Sequence, residues 1–142
     1  ARIAALQSLF AAEVKGAGAE ASLGWLAQED LLQGEIVRFA TSLIRGVGRR
    51  KPDLDNMIHL YAPAWPVSQL SLIDRNILRI ALFEILHTRE VSNKTAINEA
   101  VELAKAFGSD SSARFINGVL GSVIDKLDEE AMTPSITQQK GG

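Results

Sequence analysis

Along nearly the whole chain the apolar residues recur at steps of three and four rather than two, a period that matches α-helices and excludes alternating β-strands. The opening segment places Ile3, Leu6, Phe10 and Val14 on one stripe and stops at Gly16 and Gly18. A brief helix is expected within 20–29 around Leu23, Trp25 and Leu26. A longer one begins near Glu35 on the stripe Ile36, Phe39, Ala40, Leu43, Ile44 and Val47. Pro52 argues against simple continuation, so Asp53–Tyr61 reads as a separate helix, and the two prolines of 62–66 make the clearest break.

The pattern strengthens from Ser68. Ser71 and Asp74 have the spacing of a capping box, in which each residue caps the other's backbone. The helix that follows, to about His87, carries Leu70, Ile73, Ile77, Leu78, Ile80, Ala81, Leu82 and Ile85 over more than half its circumference, which predicts a central, largely buried helix. Arg75, Asn76, Arg79 and His87 gather on the remaining side, whereas Glu84 falls among the apolar residues. A helix over about 94–107 is expected to bury Ile97, Ala100, Val101, Ala104 and Phe107 and to end at Gly108. The last, from Ser109 or Asp110, would bury Phe115, Ile116, Val119, Leu120, Val123 and Ile124. These elements predict a compact all-α domain over 1–130, built of two packed small bundles (about 1–62 and 67–130), with 131–142 as a disordered tail.

Composition narrows the chemistry. At 142 residues the chain can bury a core without staples, and it contains no cysteine, so thiolate metal sites and disulfides are excluded. Two histidines, His59 and His87, supply metal catalysis poorly, and both read as structural. No apolar run approaches a membrane span and no signal-peptide pattern opens the chain, which points to a cytoplasmic protein. A net charge of −2 gives no global basic field, so nucleic-acid binding would be local or shared with a partner.

No constellation of an enzyme is present. There is no phosphate loop, since Gly46-Val-Gly48 ends a helix, and neither a GxSxG elbow nor an HExxH pair occurs. Glu99, Glu102 and Lys105 read as a solvated helix face. Glu84 is either a catalytic acid or a buried carboxylate bonded to helix-terminal amides, Asn98 or Asn117. Gly118 reads as a site of close helix–helix contact. Arg2 and Phe10, two turns apart, bring together a cation and a stacking ring, although Phe10 also belongs to the apolar stripe. Arg49-Arg50-Lys51 is either a phosphate contact or the dipole complement of a helix end.

The strings AALQSLF at 4–10, DRNILRIALFEIL from Asp74, TAINEAVELAKAFG from Thr95 and ARFINGVL from Ala113 resemble, in order and spacing, the NusB transcription antitermination family over roughly 1–127. The resemblance implies an all-helical fold without catalysis or cofactor. It also implies binding of boxA RNA in ribosomal RNA leader transcripts together with NusE, a small-subunit ribosomal protein, in a complex with other Nus factors on RNA polymerase. By the same resemblance Arg2 is the last member of an arginine-rich N-terminal arm; either the rest of the arm precedes residue 1, which the Ala at that position favours, or this chain binds RNA less well. Phe10 stands where the family usually has tyrosine. Gln7, Asp74, Arg75, Ser111, Ser112 and Arg114 would lie near the RNA, with NusE on a separate helical face. A homodimer stays open, as do two other readings: a helical adaptor without RNA affinity, and a fragment from the N-terminal domain of a ribosomal RNA cytosine methyltransferase.

Overall fold

The computed structural model describes residues 1–16, 18–29, 31–62, 66–88 and 90–132. They form six α-helices and no strand: α1 (Arg2–Lys15), α2 (Ala19–Glu29), α3 (Gly34–Tyr61), α4 (Leu72–Phe83), α5 (Asn93–Phe107) and α6 (Ser112–Met132). A 3₁₀ turn at Val67–Gln69 precedes α4, and a π turn at Glu84–Thr88 follows it.

The predicted centre of the fold is α4. Every residue from Asn76 to Ile85 is buried, and the helix packs against α1, α3, α5 and α6. Its N-terminus is capped by Ser71, whose Oγ accepts the Asp74 N–H at 3.0 Å. The reciprocal half of the expected capping box is missing, because Asp74 Oδ1 has no hydrogen-bond partner. The helix ends four residues earlier than expected, where the π turn begins.

Helix α3 departs most from the sequence expectation, since it runs unbroken through Pro52. An interior proline removes one hydrogen bond and costs about 3 kcal/mol. Against that cost, Leu54 and Ile58 continue the buried stripe of Ala40, Leu43, Ile44 and Val47 along the same face of the helix, both wholly buried. The basic run 49–51 therefore lies inside a helix and is not the complement of a C-terminus. The helix ends at Tyr61 as expected, while Pro63, Ala64 and Trp65 lie outside the described residues.

The face that α1 buries is rotated from the expected stripe. Ala4, Ala5, Leu6, Ser8 and Leu9 are buried, whereas Ile3 and Val14 are exposed and Phe10 is half-buried. Small Ala and Ser side chains let α1 lie close to its neighbours, and hydropathy alone gives them little weight. Gly16 ends the helix in the left-handed region at φ 73°. In α5 the buried set is Ala96, Ala100, Leu103 and Ala104; Ile97 packs at the margin and Phe107 is exposed.

The tight glycines are also not the expected one. Nothing lies within 4 Å of a Cβ placed on Gly118, while one on Gly46 would meet the Phe83 ring at 2.0 Å. Gly108 adopts an extended conformation instead of the left-handed cap, and a Cβ there would meet Ser112 at 2.6 Å. Helix α6 starts at Ser112 rather than at Ser109 and reaches Met132, two residues past the expected boundary. The rest of the expected tail, 133–142, lies outside the described residues.

Candidate functional site

Two ion-paired clusters, one on α4 and one at the π turn that follows it, fix the surface on which the predicted site residues sit. In the first, Glu13 of α1 accepts hydrogen bonds from Asn76 Nδ2 at 2.9 Å, from Arg79 Nη1 at 2.8 Å and from Arg75. Arg79 also grips Asp55 of α3 with both arms of its guanidinium, at 2.8 and 3.1 Å. Arg79 and Asn76, expected on the polar side of α4, are thus buried at 4% and 1% exposure, and the charges are matched inside the fold. Burial pushes the Glu13 carboxyl up, but the bonds from Arg75 and Asn76 and the charges of Arg79 and Arg75 outweigh it and hold it below its ordinary range.

The second cluster answers the question raised by Glu84. Its carboxylate, 2% exposed, is bonded neither to Asn98 nor to Asn117; Arg2 Nε donates to both oxygens at 3.0 and 3.1 Å. The same guanidinium lies 5.2 Å from the Phe39 ring centre and 4.0 Å from Glu99. Arg2 therefore has Phe39, not Phe10, as its ring partner. Burial is the main reason that the Glu84 carboxyl sits above its ordinary range, opposed by the bond and charge of Arg2.

That direction makes a prediction. An acid whose folded pKa is raised binds its proton more tightly when folded, so stability falls as pH rises from the ordinary value of 4.5 through the folded value. Urea unfolding of Glu84→Gln, compared with the parent chain between pH 5 and 8, should show the variant gaining relative stability as pH rises. Arg2→Ala should steepen the decline of the parent. A difference that does not change with pH would refute this account of Glu84.

Other predicted residues gather where α4 and α6 begin. Asp74, Ser111 and Arg114 line one depression of about 490 Å³ together with Gln69, Leu70, Ser71 and Phe115. Arg114 and Ser111 are exposed, so the depression presents a guanidinium and a hydroxyl to solvent. Ser112 differs: it is buried, and its Oγ accepts the Ser109 N–H at 2.9 Å, shaping the α5–α6 turn from within. Arg75 borders the depression through Asp74 but is tied to Glu13 and to the Ser68 carbonyl at 3.4 Å. Phe10 lies one turn before Glu13 on α1, while exposed Gln7 lines a separate groove between α1 and α2 with Trp25 and Leu26. His59 is exposed at the end of α3, and the exposed His87 ring lies 5.9 Å from that of Phe83.

The sequence reading did not include Glu13, Asp55, Gln69 or Phe115 in the site. For the Glu13–Arg79–Asp55 cluster a signal existed, since an arginine at 79 interrupts the most apolar stretch of the chain and requires a buried partner. Asp55 and Glu13, 24 and 66 residues away, are not identifiable without the fold.

The NusB family profile matches residues 1–125. The chain belongs to the NusB family. Among its relatives, the transcription antitermination protein NusB of Dehalococcoides mccartyi strain CBDB1 is 51% identical over 131 residues, 92% of each chain. The structure of T. maritima NusB superposes with a TM-score of 0.80 at 31% identity, covering 86% of both chains. A NusB solved with NusE and double-stranded RNA shares the fold, with a TM-score of 0.80 at 19% identity over 88% of this chain and 93% of that one. The strings that suggested the NusB family thus lie on α1, α4, α5 and α6, the helices that meet around the buried α4.

Proposed function

We propose that this chain is a cytoplasmic transcription antitermination factor. It binds the boxA element of ribosomal RNA leader transcripts together with NusE, and it joins other Nus factors on RNA polymerase by binding rather than by catalysis. Its relatives are named transcription antitermination proteins, and a fold neighbour was solved in complex with NusE and double-stranded RNA. Within this reading the domain spans about 1–130, with bundles over about 1–62 and 67–130.

The observation that carries the RNA reading is the meeting of Asp74, Ser111 and Arg114 in one depression, although about forty residues separate Asp74 from the other two. Arg114 supplies a guanidinium for phosphate, Asp74 an acceptor for base amino groups, Ser111 a hydroxyl, and half-buried Phe10 a stacking face. Arg2, Gln7, Arg75 and Ser112 complete the proposed surface, the last two by holding it in shape.

The test is fluorescence anisotropy of a labelled boxA RNA and a scrambled control, with and without NusE, at two salt concentrations. Preferential binding strengthened by NusE is expected, and equal weak binding of both RNAs would count against the reading. Phe10→Ala should weaken boxA binding by roughly 1–3 kcal/mol. A folded Phe10→Ala protein with full affinity would remove that residue from the interface.

A further inference from the structure

A second cationic surface, apart from the depression at Arg114, runs along the outer side of α3. A groove of about 850 Å³ is lined by Arg38, Arg45, Arg49 and Arg50, with the edges of Phe83 and His87 at its α4 side. At 100° per residue Arg38, Arg45 and Arg49 fall within about 40° of one another, and Arg38 and Arg49 stand about 16 Å apart along the axis. Arg45 is already engaged, with Nε 2.6 Å from Glu20. Arg38, Arg49 and Arg50 are exposed and make no ion pair or side-chain hydrogen bond among the described residues. Asp53 is the sole acid in the lining, so the groove keeps a positive excess in a chain whose net charge is −2.

We propose that this groove carries the phosphodiester backbone of the bound RNA beyond its boxA segment, an inference that rests on the RNA-binding reading above. A single phosphate is too small to bridge two arginines whose backbone positions lie about 16 Å apart along the helix, whereas about six stacked nucleotides, five steps of about 3.4 Å, span that length. All the lining cations but His87 are arginines, whose planar fork suits phosphate oxygens. Burial, with the charge of Arg50, keeps His87 below its ordinary pKa, so the charge of the groove near neutral pH comes from the arginines.

The experiment compares two labelled single-stranded RNAs, a minimal boxA and the same boxA extended by about ten nucleotides at either end, bound by the full chain with NusE over a salt series. Each phosphate contact to a single strand adds about 0.7 to the slope of log K against log salt. The extended RNA should bind more tightly and with a slope steeper by about 1.4 to 2. Arg38→Gln/Arg49→Gln should remove about 1.4 of that difference and leave minimal boxA unchanged, while Arg38→Lys/Arg49→Lys should retain most of it. Circular dichroism checks that the variants are folded. Equal gains from extension in the parent and the Gln variant, or no gain in the parent, would overturn the groove proposal while leaving the boxA site standing. Failure of the parent to bind either RNA would overturn both. Saturation of the groove by inorganic phosphate or by an acidic peptide, without a gain from RNA extension, would assign it to those ligands and overturn the proposal as well.

Discussion

Arg79→Ala is expected to lower the unfolding free energy by about 3–5 kcal/mol, the cost of removing one partner from a buried ion pair. Arg79 is 4% exposed and serves two carboxylates at once, Asp55 on α3 and Glu13 on α1. Its loss leaves Asp55 without its two bonds and Glu13 dependent on Arg75 and Asn76 alone. Lysine should not restore the loss, because an ammonium cannot present the paired N–H groups that Asp55 receives. Asp55→Leu in the Arg79→Leu background should cost less than the two single changes summed, since the charges that remain unpaired in each single variant are then both gone. The measurement is the urea midpoint at constant m-value. A cost below about 1 kcal/mol for Arg79→Ala would show that this network contributes little, as exposed pairs do.

Gly46→Ala should be nearly as damaging, though it adds a single methyl group. The new Cβ would lie 2.0 to 2.4 Å from three carbons of the Phe83 ring, which is itself 9% exposed and packed in the core. Neither a helix backbone nor a buried ring yields by an ångström without moving its neighbours, and overpacking of this kind costs about 3 kcal/mol. At roughly 2–4 °C per kcal/mol the melting temperature should drop by about 6–12 °C. Gly118→Ala is the matching control. With nothing within 4 Å and a position in the interior of α6, it should stabilise the chain by up to about 1 kcal/mol. If Gly46→Ala melted with the parent chain, the close approach of α3 to Phe83 would be wrong. Partial recovery in Gly46→Ala/Phe83→Leu would locate the strain at that contact.

Those two glycines show what a linear reading can and cannot reach. Hydrophobic period identifies α4 as the central helix, the Ser71–Asp74 spacing its cap, and the prolines of 62–66 a helix end at Tyr61, because each is written in residues within one or two turns. Whether a glycine is empty or jammed depends on a ring 37 residues away, so the sequence assigns the close contact to Gly118 and a helix end to Gly46, the reverse of what the packing shows. Pro52 is the converse case: the local rule predicts a break, and the burial of Leu54 and Ile58 against other helices overrides it. At the site, Arg114 and Ser111 lie within four residues of one another, yet their meeting with Asp74 required the packing of α4 and α6. Arg2 was placed on α1 correctly, but its partners Glu84 and Phe39 come from two other helices.

The continuity of α3 has a consequence for how the molecule opens. Twenty-eight residues in one helix make a rod about 42 Å long, and this one touches α1, α2, α4 and α6. Such a splint transmits any loosening at one end to the other, so the helices around it should not come apart piecemeal. Amide hydrogens of the buried stripe on either side of Pro52, at Val47, Leu54 and Ile58, should exchange with solvent at a shared slow rate set by global unfolding. The proline, which has no amide to report, marks a seam in the sequence that the folded rod has closed.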